Sequence, residues 1–176
     1  MNNPEEHLFA WLRDSVQVAK DGIAEFGEAF REKPGRITQA YQELLAGYLD
    51  DPSELLKYRV PGTKNREYGE VWARKVPFLS FCAHHFLPFT GTITVGYIPG
   101  DGLLGIGKLP RLVQCRAKRF QLQERLMVEI VNDLINLGNA KWARAESSAR
   151  HFCVCYRGPR EASSDTFSAF ESGHRK

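Results

Sequence analysis

Cysteine, methionine and long apolar runs are scarce in this sequence. Its 176 residues include only four cysteines and two methionines, too few for the disulfide framework of a small secreted protein. No apolar run approaches the roughly 20 residues that a membrane-spanning helix requires. The N-terminal Met-Asn-Asn-Pro-Glu-Glu also lacks the basic and apolar segments of a signal peptide. We therefore expect a cytoplasmic protein that makes no contact with a membrane.

A large excess of either charge is also absent. The chain has 24 Lys and Arg residues against 21 Asp and Glu residues, and its formal net charge is +3. Proteins that bind nucleic acids usually carry a basic surplus gathered on one face, so we expect no nucleic-acid partner. Hydrophobic residues make up 43% and charged residues 26%, which is typical of a globular domain and excludes a disordered or filamentous chain.

The first third of the sequence has the apolar spacing of helices. Apolar residues recur at helical intervals over residues 5–30, which predicts one amphipathic helix there. A second helix is expected from Arg36 to Gly47, and the segment Asp50-Asp51-Pro52-Ser53 is expected to cap a short helical turn that holds Leu55 and Leu56. We assign residues 1–58 to an N-terminal helical extension.

Beyond a polar loop over residues 59–68, the apolar period becomes that of strands. The expected order is a strand over 70–81 interrupted at Pro77, a strand over 89–98, helices over 109–119 and 122–137, and strands over 141–156 and 163–172. Strands on both sides of a helix pair indicate an antiparallel sheet with the helices on one face, an α+β fold. We assign residues 59–176 to this single domain.

Cysteines and histidines cluster in two places. Cys82 precedes His84 and His85, and Cys-x-x-His places two zinc donors at one chain corner. His151 lies beside Cys153 and Cys155, and on a strand these three side chains would share one face. Three ligands from the two clusters would leave a fourth position open for a catalytic water, whereas four ligands would close a structural site. The pattern of residues leaves both arrangements open.

Two further segments can bind anions or bases. Gly105-Ile106-Gly107-Lys108 joins a short apolar run to a helix start, where Lys108 and Arg111 can add positive charge to an anion site. Glu124 begins the next helix and can accept hydrogen bonds from a purine edge. Ordinary roles at a helix start, as solvated charges or as a cap, are the alternative for all three.

Several motifs in order resemble the GTP cyclohydrolase I family over residues 34–160. They are Pro34-Gly35-Arg36-Ile37, Val76 to Phe89 with Cys82-Ala83-His84-His85, Val95-Gly96-Tyr97-Ile98-Pro99, Gly105-Ile106-Gly107-Lys108, Gln123-Glu124-Arg125-Leu126, and His151-Phe152-Cys153 through Arg157-Gly158. The resemblance implies a tunnelling fold, in which an antiparallel four-stranded sheet carries two helices on one face. It also implies a toroidal homodecamer with active sites between subunits.

The resemblance further implies an enzyme that binds GTP as its substrate. Family members open the imidazole ring of the guanine, release formate and form 7,8-dihydroneopterin triphosphate. The implied roles are zinc ligands (Cys82, His85 and Cys153), acid–base histidines (His84 and His151), guanine recognition (Gln123 and Glu124) and triphosphate binding (Lys108, Arg111, Arg157 and Arg36).

The sequence departs from the family at a few positions near these motifs. Ala83 replaces the usual glutamate, Gly107 a serine, and Gln39 a lysine that would contact phosphate; the segment after Arg157-Gly158 lacks the usual threonines. The alternatives are a tunnelling-fold relative that acts on another purine or pterin, a nitrile reductase of the deazaguanine pathway, and a non-catalytic zinc scaffold. The paired Cys and His motifs argue against the reductase, and the two acid–base histidines argue against the scaffold.

Overall fold

The computed structural model describes residues 6–33, 35–61 and 68–175, which divide into two units at Glu43 and Leu44. The first unit is helical and contains α1 (Glu6–Asp14), α2 (Lys20–Glu32) and all but the last residue of α3 (Arg36–Leu44). None of the described helices is long and apolar enough to cross a membrane.

The prediction of one helix over residues 5–30 is wrong, because the chain turns between α1 and α2. Gln17 has a φ of 58°, in the left-handed region that a continuous α-helix cannot contain. The turn lets the two helices face each other, and the rings of Phe9 and Phe26 lie 5.1 Å apart. Paired helices show the same apolar period as one long helix, so the spacing of apolar residues did not reveal the break.

The second unit begins with short helical segments and continues into a sheet. A 3₁₀ turn (Ala46–Tyr48) precedes α4 (Pro52–Leu56), where the Asp51 carboxylate accepts a hydrogen bond of 2.8 Å from the Ser53 amide, as predicted for a cap. The remaining elements are β1 (Arg59–Pro61), β2 (Val71–Cys82), β3 (Pro88–Pro99), β4 (Gly102–Leu104), α5 (Lys108–Ala117), β5 (Phe120–Gln121), α6 (Gln123–Asn136), β6 (Ala140–His151), α7 (Phe152–Cys155) and β7 (Thr166–Gly173).

The main sheet has the strand order β5-β2-β3-β6-β7. The four long strands are antiparallel, and only the two-residue β5 runs parallel to its neighbour β2. Strands β1 and β4 form a separate antiparallel pair. Helices α5 and α6 pack on the sheet and bury a common core that includes Phe78, Ile93, Leu112, Leu126, Ile130 and Leu134. The predicted α+β fold, an antiparallel four-stranded sheet with two helices on one face, is confirmed.

The irregularity of β2 does not lie at Pro77, where it was predicted. Pro77 pairs with Thr92 in regular register, and the register shifts between Ala73 and Val76. The Pro77 carbonyl accepts a hydrogen bond of 2.8 Å from the Gln114 side chain, so this residue turns its polar backbone away from β3. The missing N–H of proline therefore removes no bond from the β2–β3 ladder.

Residues 141–156 do not form one strand, contrary to the prediction. Strand β6 ends at His151, and the Tyr156 amide donates to the Phe152 carbonyl at 3.1 Å, which closes the helical turn α7. Successive residues of a helix differ by about 100° in direction, so Cys153 and Cys155 point to nearly opposite sides. The expected common face of His151, Cys153 and Cys155 is therefore absent.

Candidate functional site

Antiparallel pairing brings both Cys–His clusters to one edge of the sheet. Strand β2 ends at Cys82, and β3 begins six residues later, with Phe81 paired to Pro88. The next pair along β3 joins Phe89 to His151, the last residue of β6. Residues that follow β2 and β6 must therefore lie side by side, although about 70 residues separate them in sequence.

The turn after β2 folds His85 back toward Cys82. The amides of His85 and Phe86 donate to the Cys82 carbonyl at 3.3 and 2.9 Å, and the Cys82 amide donates to Leu87 at 2.8 Å. Phe86 adopts a φ of 59°, a left-handed conformation that costs roughly 1–2 kcal/mol for a residue with a side chain. The turn sets the Cys82 Sγ 3.7 Å from the His85 Nδ1.

Cys82, His85 and Cys153 form a group that can hold a metal ion. Their three ligand atoms all lie within 4.8 Å of one another. Tetrahedral zinc, with bonds of about 2.0–2.3 Å, needs ligand atoms about 3.3–3.8 Å apart, so small side-chain movements would complete the site. Cys155 is buried but does not belong to this group, because α7 turns it away from Cys153. The donor set thus fits a zinc ion with three protein ligands and an open fourth position.

The pKa of the Cys153 thiol depends on its surroundings. Burial raises the pKa of Cys153, the neighbouring Cys82 raises it further, and the positive charge of Arg157 opposes both effects. A bound divalent cation would reverse the balance, since metal coordination deprotonates a thiol. Arg157 therefore lies near enough to Cys153 for its charge to act on the thiol.

His151 is half-buried next to this group and is held on two sides. Its ring stacks on Phe89, with centroids 4.4 Å apart and planes only 6° from parallel. Its Nε2 lies 2.9 Å from the Oε1 of Gln123, the first residue of α6. Burial lowers the pKa of His151, and the charge of Glu124 acts in the opposite direction, so Glu124 also lies near the ring.

The other predicted histidine, His84, is exposed on the turn after β2. Its ring meets that of His85 edge-on, with centroids 6.0 Å apart. His84, His151, Glu124 and the three side chains that could hold a metal ion therefore gather at one edge of the sheet, and Arg157 lies near them.

Lys108 and Arg111 lie elsewhere, in the first turn of α5. The glycine loop, Gly105-Ile106-Gly107, precedes Lys108. The Lys108 amide donates a hydrogen bond of 2.8 Å to the Gly105 carbonyl, which closes this loop. Partial burial lowers the pKa of Lys108, and the positive charges of Arg111 and Arg59 lower it further. These three cations therefore form a basic cluster at the start of α5.

Arg59 lies on a strand, although its segment was predicted to be a polar loop and Arg59 was not predicted to be a site residue. Its strand β1 pairs with β4, with Arg59 opposite Leu104, just before the glycine loop. The adjacent Tyr58 places its ring centroid 5.8 Å from the Lys108 Nζ. A three-residue strand carries almost no periodic signal, so only the basic character of the residue could have drawn attention to it.

One chain does not bring the basic cluster to the metal group. Helix α5 has 10 residues and is about 15 Å long. Its C-terminal end leads to Phe120 and Gln121, which pair with Phe81 and Cys82, so the basic cluster lies at the far end of the helix. Arg36 is the first residue of α3 and belongs to the other unit.

Comparison with known proteins identifies the family. The sequence profile of GTP cyclohydrolase I matches residues 18–176. GTP cyclohydrolase 1 of Janthinobacterium sp. (strain Marseille) is 37% identical over 81% of this chain and 71% of the relative. The enzyme of the same name from Corynebacterium aurimucosum is 39% identical over 85% and 76%, and that from Nitrosospira multiformis is 35% identical over 99% and 90%.

Among solved structures, the apo form of an archaeosine synthase QueF-Like aligns with a TM-score of 0.49 and 16% identity, covering 63% of this chain and 100% of that one. Escherichia coli dihydroneopterin aldolase in complex with neopterin aligns with a TM-score of 0.48 and 14% identity, covering 60% and 100%. The family assignment comes from the sequences: the profile spans most of the chain, and these three relatives are at least 35% identical over most of their own length. The chain belongs to the GTP cyclohydrolase I family.

Proposed function

We propose that this protein hydrolyses the imidazole ring of GTP, releases formate and forms 7,8-dihydroneopterin triphosphate. Family membership supports the reaction, since the relatives are named GTP cyclohydrolase 1. The observation that carries the proposal is the three-ligand group of Cys82, His85 and Cys153 with His84 and His151 beside it. Ring opening at a purine carbon needs both a nucleophilic water and proton donors, and this edge of the sheet offers residues for each.

Zinc is the metal that we propose for the group, because two thiolates and one imidazole suit it best among common divalent ions. When bound, zinc would supply Lewis acidity and lower the pKa of a water to about 7. Cys82, His85 and Cys153 would hold the ion. The exposed His84 would donate a proton to the leaving nitrogen N7 of the guanine, and His151 would take part in the later proton transfers.

Glu124 is proposed to recognise the guanine. A carboxylate only accepts hydrogen bonds, so it can receive both the ring N–H and the amino group of guanine, which adenine does not present in that arrangement. Glu124 is exposed and lies near His151, within the same group of residues. Recognition at this position would hold the purine beside the metal group.

The triphosphate is proposed to bind cations from more than one subunit. The charge of Arg157 acts on Cys153, whereas Lys108, Arg111 and Arg59 cluster at the start of α5, a helix about 15 Å long whose other end leads to the strand paired with Cys82. An active site at a subunit interface would join the metal group of one chain to the basic cluster of another. Arg36 is proposed to join them, as the family resemblance implies.

A homo-oligomer, and by resemblance a decamer, would supply such interfaces. Within the described residues, β7 pairs on one side only, with β6, and most of β2 pairs only with β3. These two outer strands can extend the sheet from one subunit to the next. Sheets joined in this way would form the barrel of a tunnelling fold.

The test is direct. Zinc-loaded protein is incubated with GTP, formate is quantified, and the product is oxidised and examined for pterin fluorescence. Stoichiometric formate and a fluorescent pterin would support the proposal, with Cys82→Ser as the metal-free control. If a folded, zinc-containing protein releases no formate from GTP, the proposed reaction is overturned and a non-catalytic zinc scaffold is favoured. Parallel incubations with GDP and other purines would reveal a relative that acts on a different substrate.

A further inference from the structure

The side chain of Gln123 is buried, with only 4% of the residue exposed, at the junction of α6, β6 and β7. It makes hydrogen bonds to three residues of the same chain, namely Ser147, His151 and Thr166. Such a side chain is poorly placed to read a guanine, although the family resemblance assigns it that role together with Glu124.

The surroundings determine which end of the Gln123 amide is the nitrogen. One end lies 3.3 Å from the Ser147 carbonyl oxygen and 3.0 Å from the Thr166 carbonyl oxygen. Carbonyl oxygens only accept hydrogen bonds, so this end must be the NH₂ group, which also lies 2.9 Å from the Ser147 hydroxyl. The opposite orientation would place the amide oxygen against two carbonyl oxygens, neither of which can donate a hydrogen bond.

The other end of the amide is therefore Oε1, an acceptor. It receives a hydrogen bond of 2.6 Å from the Thr166 hydroxyl and lies 2.9 Å from the Nε2 of His151. Because Oε1 cannot donate, the proton of this second bond must be on the histidine Nε2. A neutral His151 then carries its hydrogen on Nε2 and leaves the lone pair of Nδ1 available.

Phe89 completes the restraint of His151. Its ring stacks on the imidazole, so the plane of the histidine is set by packing while Gln123 sets its rotation and tautomer. In this arrangement the Nε2 of His151 is hydrogen-bonded to Gln123, and Nδ1 is available to the substrate.

We infer that Gln123 is a positioning residue, which holds His151 as the Nε2–H tautomer so that proton transfer to and from the substrate takes place at Nδ1. The inference rests on the proposed function and deepens it, because it assigns base recognition to Glu124 without the Gln123 side chain. All of the polar atoms of that side chain are already used: two acceptor sites on Oε1 and both donors on Nε2.

The tautomer can be measured without any assay of activity. Protein labelled with ¹⁵N at histidine is studied by NMR at about pH 8, where an imidazole is neutral, and His151 is assigned by its loss in His151→Asn. We expect a protonated-type signal from Nε2 and an unprotonated-type signal from Nδ1. The reverse pattern would overturn the inference, and since wild-type protein is used, impaired folding of a variant cannot obscure the result.

Kinetics separate positioning from base recognition. Gln123→Met keeps the length of the side chain but removes its hydrogen bonds, and misplacement of a reacting group lowers turnover by up to about 100-fold. We expect kcat to fall between about 10-fold and 100-fold with KM for GTP changed less than about threefold. Thr166→Val is the matched control, because it removes a hydroxyl that contacts both Oε1 and the Ala149 carbonyl and leaves the bond between Gln123 and His151. Its kcat should stay within about threefold of wild type.

The two proposals fail in different ways. A rise in KM with unchanged kcat in Gln123→Met would show that this side chain reads the base, and the positioning role would be lost while the proposed reaction stood. Absence of formate release by the wild-type protein would instead overturn the proposed function, whatever tautomer His151 shows.

Discussion

Two variants, each impaired alone, should restore activity when they are combined in one oligomer. His84→Ala alters the metal end of the site, and Lys108→Ala alters the basic cluster at the start of α5. Within one chain Lys108 is at the start of α5, a helix about 15 Å long, whereas His84 follows Cys82 beside the strand that the end of this helix leads into. If each active site takes His84 from one chain and Lys108 from another, mixed oligomers will contain some sites in which both residues are intact.

The expected recovery follows from counting. In oligomers assembled at random from equal amounts of the two chains, each position is intact with a probability of one half, so about one quarter of the sites regain both residues. Loss of a general acid lowers turnover about 10²–10⁴-fold, and loss of a charge-assisted phosphate contact removes about 1.5–3 kcal/mol of binding. Mixed oligomers should therefore reach about 25% of wild-type activity, well above either variant alone.

The assay is co-expression with two different tags, tandem purification of the mixed species and measurement of formate release at subsaturating GTP. The control combines His84→Ala with Glu124→Gln, because both positions lie at the metal end of the same chain and no mixed site can regain both. Recovery in the first mixture and none in the control is the expected result. If mixed oligomers of His84→Ala and Lys108→Ala form but release no more formate than either variant alone, the shared-site hypothesis is refuted and a complete site lies within one chain.

Three further predictions concern single positions. Cys153→Ser should lose bound zinc and Cys155→Ser should retain it, measured by metal analysis of purified protein; equal loss would indicate a closed four-ligand site. Glu124→Gln should raise KM for GTP about 10-fold to 100-fold, through loss of charge-assisted hydrogen bonds worth about 1.5–3 kcal/mol; unchanged KM in a folded variant would leave Glu124 only a helix-start role. Gln39→Lys should lower KM for GTP more than KM for GDP, since it adds a cation at the position where the family resemblance implies a lysine; an unchanged GTP/GDP ratio of kcat/KM would show that position 39 does not contribute to phosphate binding.

Local patterns predicted most of the second unit. Leu122, Leu126, Ile130 and Leu134 recur every four residues, and the helix α6 follows from that spacing. The β-branched run of β3 and the polar cap at Asp51 are equally local signals, and each corresponds to an observed element. Predictions were wrong where a local pattern is compatible with two structures. The apolar spacing over residues 5–30, for example, fits one long helix as well as the two helices that meet at the turn near Gln17.

The two cysteines after β6 show the same limit within the candidate site. Alternation along a strand left Cys153 and Cys155 equivalent, and the family resemblance selected Cys153. The structure shows why they differ: the chain leaves the sheet at His151 and forms a helical turn, which directs Cys153 toward Cys82 and Cys155 away from it.

By itself, the sequence determined the family, the order of most helices and strands, and the residue types available for a metal, a base and phosphates. Those properties reside in local spacing and in motifs, which the chain carries whatever its conformation. Only the tertiary structure decided which residues meet. The pairing of Phe89 with His151 sets a half-buried ring beside the metal group, and Gln123 reaches it from another element. The separation of the basic cluster from that group likewise depends on how α5 packs along β2, because strand register and helix packing depend on contacts between residues far apart in sequence.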